Sequence, residues 1–496
     1  MDNIYNNLLL FLFVSLCYNY RYFDIKWIIK YIAFYFYKST KKGKMDIKIK
    51  QLESMKAIKE MFFNKKYLYN FDELPRNSIN QTEIIKVIDE RRGLNNNKIS
   101  GCVYINDSEC KNLMQKISQY YLFSNPLHPD IYPELLKMES EIIKMVGSLY
   151  ELPESGGGNL TTGGTESTIL ALKAYKKMKR KTLYFFKPEV LCTKTVHAAV
   201  HKACELLDLK IVYVDLNDDY VMDVNDLKNK ISFRTCVIIA SAPCFAYGLM
   251  DPIIKISDIA NFYSIPLHVD ACLGGFICQF NKKLRLTFKC NIQSISIDPH
   301  KFGYAPKGSS ILLWKNKKMR HNQYFVVNDW TGGIYASVSL PGSRVGNQIA
   351  TTWGALLFNG INGYEKYSKN IIESTIFLKN EINKLNTFHV IGNPNINVVA
   401  FYSDVYSVGD LLENFKKHNW NLNILQYPTC LHICITPKNM NYIKEVPNIL
   451  CEMFNKKTNE NKNTGIASIY GMSAQIPDKS IINDIIYYYL DYTTNC

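Results

Sequence analysis

The sequence predicts an α/β fold with a mostly parallel sheet, followed by a smaller C-terminal α+β unit. Beyond Tyr150, short apolar segments alternate with helical stretches, which is typical of a parallel sheet layered with helices. An amphipathic pattern over Gly363–Leu385 predicts a long helix, and the smaller unit begins near Thr387. The predicted strands are Thr182–Phe186, Lys210–Leu216, Cys236–Ala242, Pro266–Ala271 and Ser294–Asp298.

The composition is that of a folded chain with a large core. Of the 496 residues, 47% are hydrophobic and 21% are charged, which predicts two or more domains. The formal charge is +15, but the lysines are dispersed and no motif that reads RNA or DNA is present. We therefore expect no nucleic-acid partner, and attribute the charge to solvated surface and to attraction for anionic lipids or phosphorylated substrates.

The fourteen cysteines occur singly, without CxxC pairs and without a regular spacing to histidine. This pattern predicts free thiols in a reducing compartment and no metal site. Disulfides in a secreted chain are the alternative, although a chain of this length does not need them for stability.

The N-terminus differs from the rest of the chain, because Ile4–Tyr20 carries no charge. A spanning helix needs about 20 apolar residues, and this stretch is slightly short. A single membrane span, an interfacial anchor, an uncleaved signal and a buried pair of aromatic helices all remain open. The basic cluster that follows predicts a cytosolic location for the bulk of the protein by the positive-inside rule; it comprises Lys38, Lys41, Lys42 and Lys44.

These changes in pattern predict four regions. They are an apolar anchor segment (1–44), a helical segment (45–150), a large sheet-containing domain (151–362) and a small C-terminal domain (363–496).

A glycine-rich turn enters a predicted helix at Thr162–Thr165. Small residues at a helix N-terminus let a phosphate approach the free backbone N–H groups. An ordinary helix entry capped by Thr165 explains the same residues equally well.

Two charged residues end predicted strands. Asp270 would face a partly desolvated site that needs a cationic partner, such as a protonated pyridine nitrogen. Lys301 could form an imine with a carbonyl if desolvation kept its amine neutral. Separately, Asp270 could cap a turn and Lys301 could pair with Asp298. Together with the glycine turn, they indicate a pyridoxal phosphate site.

Beyond these residues, the chain resembles the sphingosine-1-phosphate lyases, which are pyridoxal-phosphate enzymes of fold type I. The resemblance rests on motifs spread along most of the chain. They are SGCVY (Ser100–Tyr104), NPLHPDIYPELLKMESEI (Asn125–Ile142), TTGGTES (Thr161–Ser167), HVDACLGGF (His268–Phe276), HKFGYAPKGSS (His300–Ser310), DWTGGIYAS (Asp329–Ser337), GSRVG (Gly342–Gly346), NWNLN (Asn419–Asn423) and IYGM (Ile469–Met472).

The resemblance implies a role for each matching position. Lys301 would hold the cofactor covalently, Asp270 would keep the pyridine nitrogen protonated, and His197 would stack on the ring, although a lone histidine is more often structural. The residues implied around the cofactor phosphate are Gly164, Thr165, His300 and Ser343, and those implied at the substrate phosphate are Tyr104, Asn125, His128 and Lys307.

The implied activity is retro-aldol cleavage of phosphorylated sphingoid bases into a long-chain aldehyde and phosphoethanolamine, as part of sphingolipid degradation. Lys301, Tyr104 and a phosphate oxygen are all candidates for the base. The resemblance also implies a homodimer with shared active sites, to which the 45–150 segment contributes, anchored in the endoplasmic reticulum membrane with the catalytic domain facing the cytosol.

The sequence departs from the family pattern in its loop Asp329–Gly346, where Val338 and Val345 replace prolines. Losing two fixed φ angles is expected to loosen this loop. Pro299 and Phe302 also replace the hydroxyl-bearing residues that flank the reactive pair. The alternatives to the lyase are a pyridoxal-phosphate-dependent decarboxylase of glutamate or aromatic amino acids and a non-catalytic membrane scaffold that kept the fold.

Overall fold

The computed structural model describes residues 33–62, 71, 73–93, 96–105, 107–180, 185–455 and 480–494. The chain divides into two compact units. The larger comprises Asn96–Leu425 and Cys430–Thr458, and the smaller comprises Met1–Asn95, Gln426–Thr429 and Asn459–Cys496.

Helices precede the first strand and connect many of the later ones. In chain order they are α1 (Lys41–Phe62), α2 (Gln81–Arg91), α3 (Ser108–Tyr121), α4 (Pro133–Leu149), α5 (Gly164–Arg180), α6 (Ala198–Leu206), α7 (Val224–Lys230), α8 (Ile253–Phe262), α9 (Gly275–Cys278), α10 (Lys317–Arg320), α11 (Gly346–Asn383), α12 (Val408–Lys417), α13 (Val446–Cys451) and α14 (Ser480–Thr494). Residues 33–39 are helical as well.

Within the smaller unit, helices α1 and α14 pack against each other, and Gln51 Nε2 donates to Asp484 Oδ2 at 3.2 Å. Most of the proposed anchor segment, including Ile4–Tyr20, lies outside the described residues. Among the helices that are described, none combines the length and the apolar character that a bilayer crossing requires.

A seven-stranded sheet forms the centre of the larger unit. Its strands are β1 (Gly157–Thr161), β2 (Glu189–Thr193), β3 (Lys210–Val214), β4 (Thr235–Ser241), β5 (Leu267–Asp270), β6 (Ser294–Ile297) and β7 (Ser310–Trp314). Their order is β1-β7-β6-β5-β4-β2-β3, and all neighbours are parallel except that β7 runs antiparallel to β1 and β6. The predicted mostly parallel sheet is therefore confirmed.

Four of the five predicted strands are present. The strand predicted over Thr182–Phe186 is wrong for Phe185 and Phe186, the two of its residues that the structure describes. Phe185 and Phe186 lie in a bend, and the strand is the fully buried β2 instead. The sequence pattern does not indicate β2, because this strand begins with a charged residue, Glu189. That carboxylate is buried but paired, 3.0 Å from Lys210 Nζ and 2.8 Å from Arg234 Nη2.

The core lies on the face of the sheet that α5 and α6 cover. Leu170, Leu172 and Tyr175 of α5 pack with Val190 and Trp314 of the sheet, and all five are at most 1% exposed. Burial of apolar area on this scale is the main stabilising contribution to such a layer.

The predicted helix over Gly363–Leu385 is the second half of α11. Gly360 interrupts the helical backbone with φ 54° and ψ −175°, a left-handed φ that glycine adopts without strain. The first half, from Gly346, was not predicted as helix.

After α11 come an antiparallel sheet and the last helices. The sheet has the order β10-β11-β13-β12 and contains β10 (Phe388–Val390), β11 (Val398–Ser403), β12 (Asn423–Leu425) and β13 (Cys430–Cys434). A two-stranded ribbon, β8 (Phe325–Val327) with β9 (Tyr335–Ser337), belongs to the loop before α11. The motif Ile469–Met472 lies outside the described residues.

The twelve cysteines that the structure describes all carry free thiols. The same part of the chain contains no group of histidine, cysteine and carboxylate side chains arranged to hold a metal ion.

Candidate active site

A cavity of about 360 Å³ lies at the carboxyl ends of β4, β5 and β6. Ser241, Asp270 and Asp298, which end or follow these three strands, contribute to its lining. The carboxyl ends of parallel strands are where α/β sheets bind ligands. The cavity brings together the glycine turn Thr162–Thr165, Asp270 and Lys301.

The N-terminus of α5 forms one wall of the cavity. Gly164 begins this helix, and a Cβ added there would lie 2.8 Å from Cys272 Sγ and 3.1 Å from both carboxylate oxygens of Asp298. Only glycine fits so close to these two groups. Thr165 also lines the cavity, so the helix presents its unpaired backbone N–H groups to an anion there.

Glu166 reinforces this turn. Its Oε2 accepts hydrogen bonds from Thr162 N at 2.7 Å and Thr162 Oγ1 at 2.6 Å, while Oε1 accepts from Leu340 N at 2.8 Å. The carboxylate therefore joins the glycine turn to the loop before α11. Glu166 was not predicted as a site residue, and its only signal is its position four residues after Thr162.

Lys301 pairs with Asp298 in the wall opposite. Its Nζ lies 2.9 Å from Asp298 Oδ2, and His300 Nε2 lies 3.5 Å from the same oxygen. Since His300 Nδ1 accepts from Ser309 N at 3.2 Å, Nε2 carries the proton. The lysine, histidine and carboxylate form one buried cluster.

The electrostatics of this cluster correct one expectation. Burial is the largest single effect and opposes the charged form of Lys301, but Asp298, together with Cys272 and Tyr104, raises the pKa of the lysine above its usual range. Burial likewise opposes the ionised form of Asp298, but Lys301 and His300 together hold its pKa below its usual value. The prediction that desolvation keeps the amine neutral is therefore wrong for this state of the site, because Asp298 compensates the charge.

Asp270 ends β5 and faces the cavity. Its Oδ1 accepts a hydrogen bond from Cys272 N at 3.1 Å and one from Ser296 Oγ at 3.4 Å. The hydrogen bond from Cys272 N also agrees with the alternative that Asp270 caps a turn.

His197 lines the same cavity from the start of α6. It is the N-cap residue of that helix, and its Nδ1 accepts from Ala199 N at 3.1 Å. Its ring meets the ring of Phe245 edge-on, with the centroids 6.3 Å apart. Capping fixes the ring orientation while leaving its face available to a planar ligand.

Tyr104 and Lys307 form a second polar group. Lys307 Nζ lies 4.4 Å from the centroid of the Tyr104 ring, and that ring packs edge-on against Phe302 at 4.9 Å. Burial raises the pKa of Tyr104, and the neighbouring charge of Lys301 acts on it in the opposite direction. Burial, followed by the charge of Lys301, lowers the pKa of Lys307, so both residues lie close enough to Lys301 to be influenced by its charge.

Five predicted residues do not line the cavity, namely Tyr104, Lys307, Asn125, His128 and Ser343. Asn125 Oδ1 accepts from Arg344 N at 2.9 Å and from Leu127 N at 3.2 Å, so it supports the loop before α11. Ser343 lies in a separate cavity that shares only Thr162 and Glu166 with the main one. His128 lies on the turn that begins at Asn125, with its backbone N donating to Asn125 O at 3.1 Å.

The loop before α11 is held in place despite its two valines. Val338 O accepts from Gln323 Nε2 at 2.6 Å, and the Leu340 N–H is bound by Glu166. Val345 is the N-cap residue of α11, with φ −88°. Hydrogen bonds to neighbouring elements thus fix part of the loop.

Two further residues of the site were not predicted as such: Asp298 was expected only as a structural partner of Lys301, and Ser296 was not expected at all. The signal for both was the strand SISID, whose alternation places Ser294, Ser296 and Asp298 on one face.

The residues present fit pyridoxal phosphate. The helix start of α5 fits a phosphate, Asp270 fits a protonated pyridine nitrogen and Lys301 fits an aldehyde. In addition, Asp298 Oδ1 is buried and accepts no hydrogen bond from the part of the chain that the structure describes, as expected where a polar ligand group completes a site.

Comparison with known proteins agrees with this geometry. Residues 113–403 match the family model described as the pyridoxal-dependent decarboxylase conserved domain. Sphingosine-1-phosphate lyase 1 of Mus musculus is 36% identical over 441 residues, covering 85% of this chain and 77% of the mouse protein. The sphingosine-1-phosphate lyase of Dictyostelium discoideum is 36% identical over 425 residues, covering 83% of this chain and 79% of that protein.

Solved structures give the same result for the fold. A sphingosine-1-phosphate lyase of Burkholderia pseudomallei superposes with a TM-score of 0.77 at 28% identity, covering 86% of this chain and 98% of the other. A glutamate decarboxylase of Lactobacillus brevis has a TM-score of 0.70 at 18% identity, covering 80% and 97%, which shows a shared fold alone. The chain carries the pyridoxal-dependent decarboxylase conserved domain and belongs to the sphingosine-1-phosphate lyase family.

Proposed function

We propose that this protein is a pyridoxal-phosphate-dependent lyase that cleaves the C2–C3 bond of phosphorylated sphingoid bases. The products are a long-chain aldehyde and phosphoethanolamine. The observation that carries the proposal is that Lys301 shares its surroundings with a second cation, Lys307, held 4.4 Å from the ring of Tyr104. One lysine is available for the cofactor and the other for a substrate phosphate.

Pyridoxal phosphate, when bound, supplies an electron-accepting pyridinium ring that stabilises negative charge left on C2. Asp270 would keep the ring nitrogen protonated, and His197 would pack on the ring face. The phosphate would lie at the N-terminus of α5, near Gly164, Thr165 and His300. Ser343 lies outside the cavity of its own chain. It would contact the cofactor phosphate only where the loop before α11 places it beside one.

Lys307 and Tyr104 would bind the substrate phosphate. An ammonium beside a phenol offers a point charge and an O–H donor to phosphate oxygens. Asn125 and His128 would act on the same end of the substrate from the turn that supports Arg344. A small amino acid has no phosphate for Lys307 to bind, which favours the lyase over the decarboxylase.

The reaction needs a base for the C3 hydroxyl proton and an acid that returns a proton to C2. Because burial raises the pKa of Tyr104, its hydroxyl keeps its proton near neutral pH and suits donation better than acceptance. The amine of Lys301 and a phosphate oxygen remain the candidates for the base.

An assay of products separates the lyase from its alternatives. Purified protein is given a phosphorylated sphingoid base and, in separate reactions, glutamate or an aromatic amino acid. We expect a long-chain aldehyde from the first and no carbon dioxide from the others. Carbon dioxide without aldehyde would favour the decarboxylase, and neither product would favour a non-catalytic scaffold.

We also propose a homodimer with shared active sites, attached to the endoplasmic reticulum membrane through residues 1–44 with the catalytic domain facing the cytosol. In this arrangement 45–150 supports the dimer and the substrate site, 151–362 binds the cofactor and 363–496 forms the small domain. The location of Ser343 outside the cavity of its own chain supports a contribution to the second subunit's site. Sedimentation with and without residues 1–44, together with membrane fractionation, tests both parts.

A further inference from the structure

A continuous set of buried polar side chains leads from the protein core to Asp270. Strands β5 and β6 are parallel neighbours, with His268 opposite Ser294 and Asp270 opposite Ser296. Because side chains alternate along a strand, these four lie on one face of the sheet. Tyr175 of α5 reaches the same face, since its hydroxyl contacts Ser294.

Each member contacts the next. Tyr175 OH lies 2.5 Å from Ser294 Oγ, which lies 2.8 Å from His268 Nδ1. His268 Nε2 lies 3.3 Å from Ser296 Oγ, which donates to Asp270 Oδ1 at 3.4 Å. The five side chains thus form one chain of hydrogen bonds.

The donors and acceptors available on each side chain fix a single direction for this series of hydrogen bonds. An ionised carboxylate can only accept, so Ser296 spends its one O–H on Asp270 and must accept from His268 Nε2–H. Burial lowers the pKa of His268 to about 4, so the ring is neutral and its Nδ1 accepts from Ser294. Ser294 in turn accepts from Tyr175, so every donor points toward Asp270.

The four residues behind Asp270 are isolated from solvent. Tyr175, Ser294 and Ser296 are 0% exposed and His268 is 1% exposed. A polar group in such a place costs free energy unless it is bonded, and apolar residues would fill the same positions without that requirement. General stability therefore does not explain four adjacent polar side chains here.

The chain also leaves Asp270 suitably oriented. Both hydrogen bonds to this carboxylate, from Cys272 N and Ser296 Oγ, end on Oδ1. Among the described residues no hydrogen bond ends on Oδ2, which is therefore left to accept the N–H of a pyridinium ring.

We propose that Ser296 and His268 are positioning residues that hold the Asp270 carboxylate toward the cofactor's ring nitrogen, while Ser294 and Tyr175 fix the tautomer of His268. The proposal rests on the cofactor site proposed above. It does not depend on the identity of the substrate.

The test measures cofactor binding by the full-length protein. Ser296→Ala and His268→Leu remove one link each, whereas Ser296→Thr and His268→Gln keep a donor at the same place. Tyr175→Phe removes the far end of the chain. Ser257→Ala is the matched control. Ser257 is a buried serine whose Oγ accepts a hydrogen bond of 2.8 Å from Asn291 N, and it does not line the cavity.

Each protein is stripped of cofactor and titrated with pyridoxal phosphate while its visible absorption spectrum is followed. We expect Ser296→Ala and His268→Leu to weaken binding about tenfold, the loss for one hydrogen bond to a charged group, and to shift the absorption maximum. Ser296→Thr, His268→Gln and Ser257→Ala should stay within about twofold of wild type, and Tyr175→Phe should lose about threefold.

Wild-type affinity and spectrum in both Ser296→Ala and His268→Leu would overturn the proposal, as would an equal loss in Ser257→Ala. If His268→Leu does not fold, Ser296→Ala and Tyr175→Phe decide. An enzyme that binds cofactor as predicted but releases no aldehyde would contradict the proposed function and leave this inference standing.

Discussion

The ammonium of Lys301 lies 2.9 Å from the carboxylate of Asp298, a side chain only 2% exposed. Two opposite charges in a buried site stabilise each other, and removing either one leaves the other uncompensated. The pair therefore keeps the reactive lysine in place before the cofactor arrives.

Asp298→Asn should destabilise the cofactor-free protein by about 3 kcal/mol, because it leaves a buried ammonium without its partner. Thermal unfolding of the stripped protein measures the loss. The double variant Asp298→Asn, Lys301→Met removes both charges and should recover most of it. A double variant no more stable than Asp298→Asn would contradict the interpretation.

Lys307→Ala should raise KM for a phosphorylated sphingoid base by about tenfold to a hundredfold, since it removes a charged contact to phosphate. The visible absorption of the bound cofactor should not change, because Lys307 belongs to the substrate end. Lys255→Ala, an exposed lysine on α8, is the control and should behave as wild type. Loss of bound cofactor from Lys307→Ala would contradict this assignment, because it would show that Lys307 belongs to the cofactor end of the site.

Gly164→Ala should weaken cofactor binding by at least about tenfold, because the new Cβ would meet Cys272 Sγ at 2.8 Å and move the helix start. Gly93→Ala meets no atom within 4 Å and serves as the control. Titration of the stripped proteins with pyridoxal phosphate compares the two. Equal affinities would show that the turn tolerates a side chain.

Acid should destabilise the protein between about pH 6.5 and pH 4, owing to two buried histidines. Burial lowers the pKa of both His268 and His432 to about 4. The unfolded chain takes up their protons below about pH 6.5 while the folded chain does not, so stability is full above that pH and falls as pH drops toward 4. Each histidine contributes about 3 kcal/mol to this loss.

Unfolding midpoints at pH 7 and pH 5 test this assignment. His268→Gln and His432→Gln should each show a smaller difference between the two pH values than wild type. An unchanged difference in both variants would assign the acid sensitivity to other groups.

The sequence was sufficient to predict the parallel sheet and the strand ends that meet at the site. Strands β3 to β6 are apolar runs, and parallel pairing places Asp270 near the residues that follow β6. Strand β2 was not predicted because Glu189 interrupts its apolar pattern. Lys210 and Arg234 compensate the charge of Glu189, and this pairing depends on tertiary structure.

Parts of the site could not be predicted from local patterns. Tyr104 lies about two hundred residues before Lys301 in the chain, and only the resemblance connected them. The charge state of Lys301 was predicted in the wrong direction because the effect of Asp298 depends on a distance that the sequence does not give. Asn125 and Ser343 carry roles from the resemblance, while their positions depend on how the loop before α11 folds.

The central claim is that Lys301 is the residue that binds pyridoxal phosphate covalently. Reduction of the holoenzyme with borohydride, followed by peptide mass spectrometry, tests it most directly. We predict a single phosphopyridoxyl adduct on Lys301, absent from Lys301→Ala. An adduct on Lys307 or another lysine, or no adduct at all, would contradict the account.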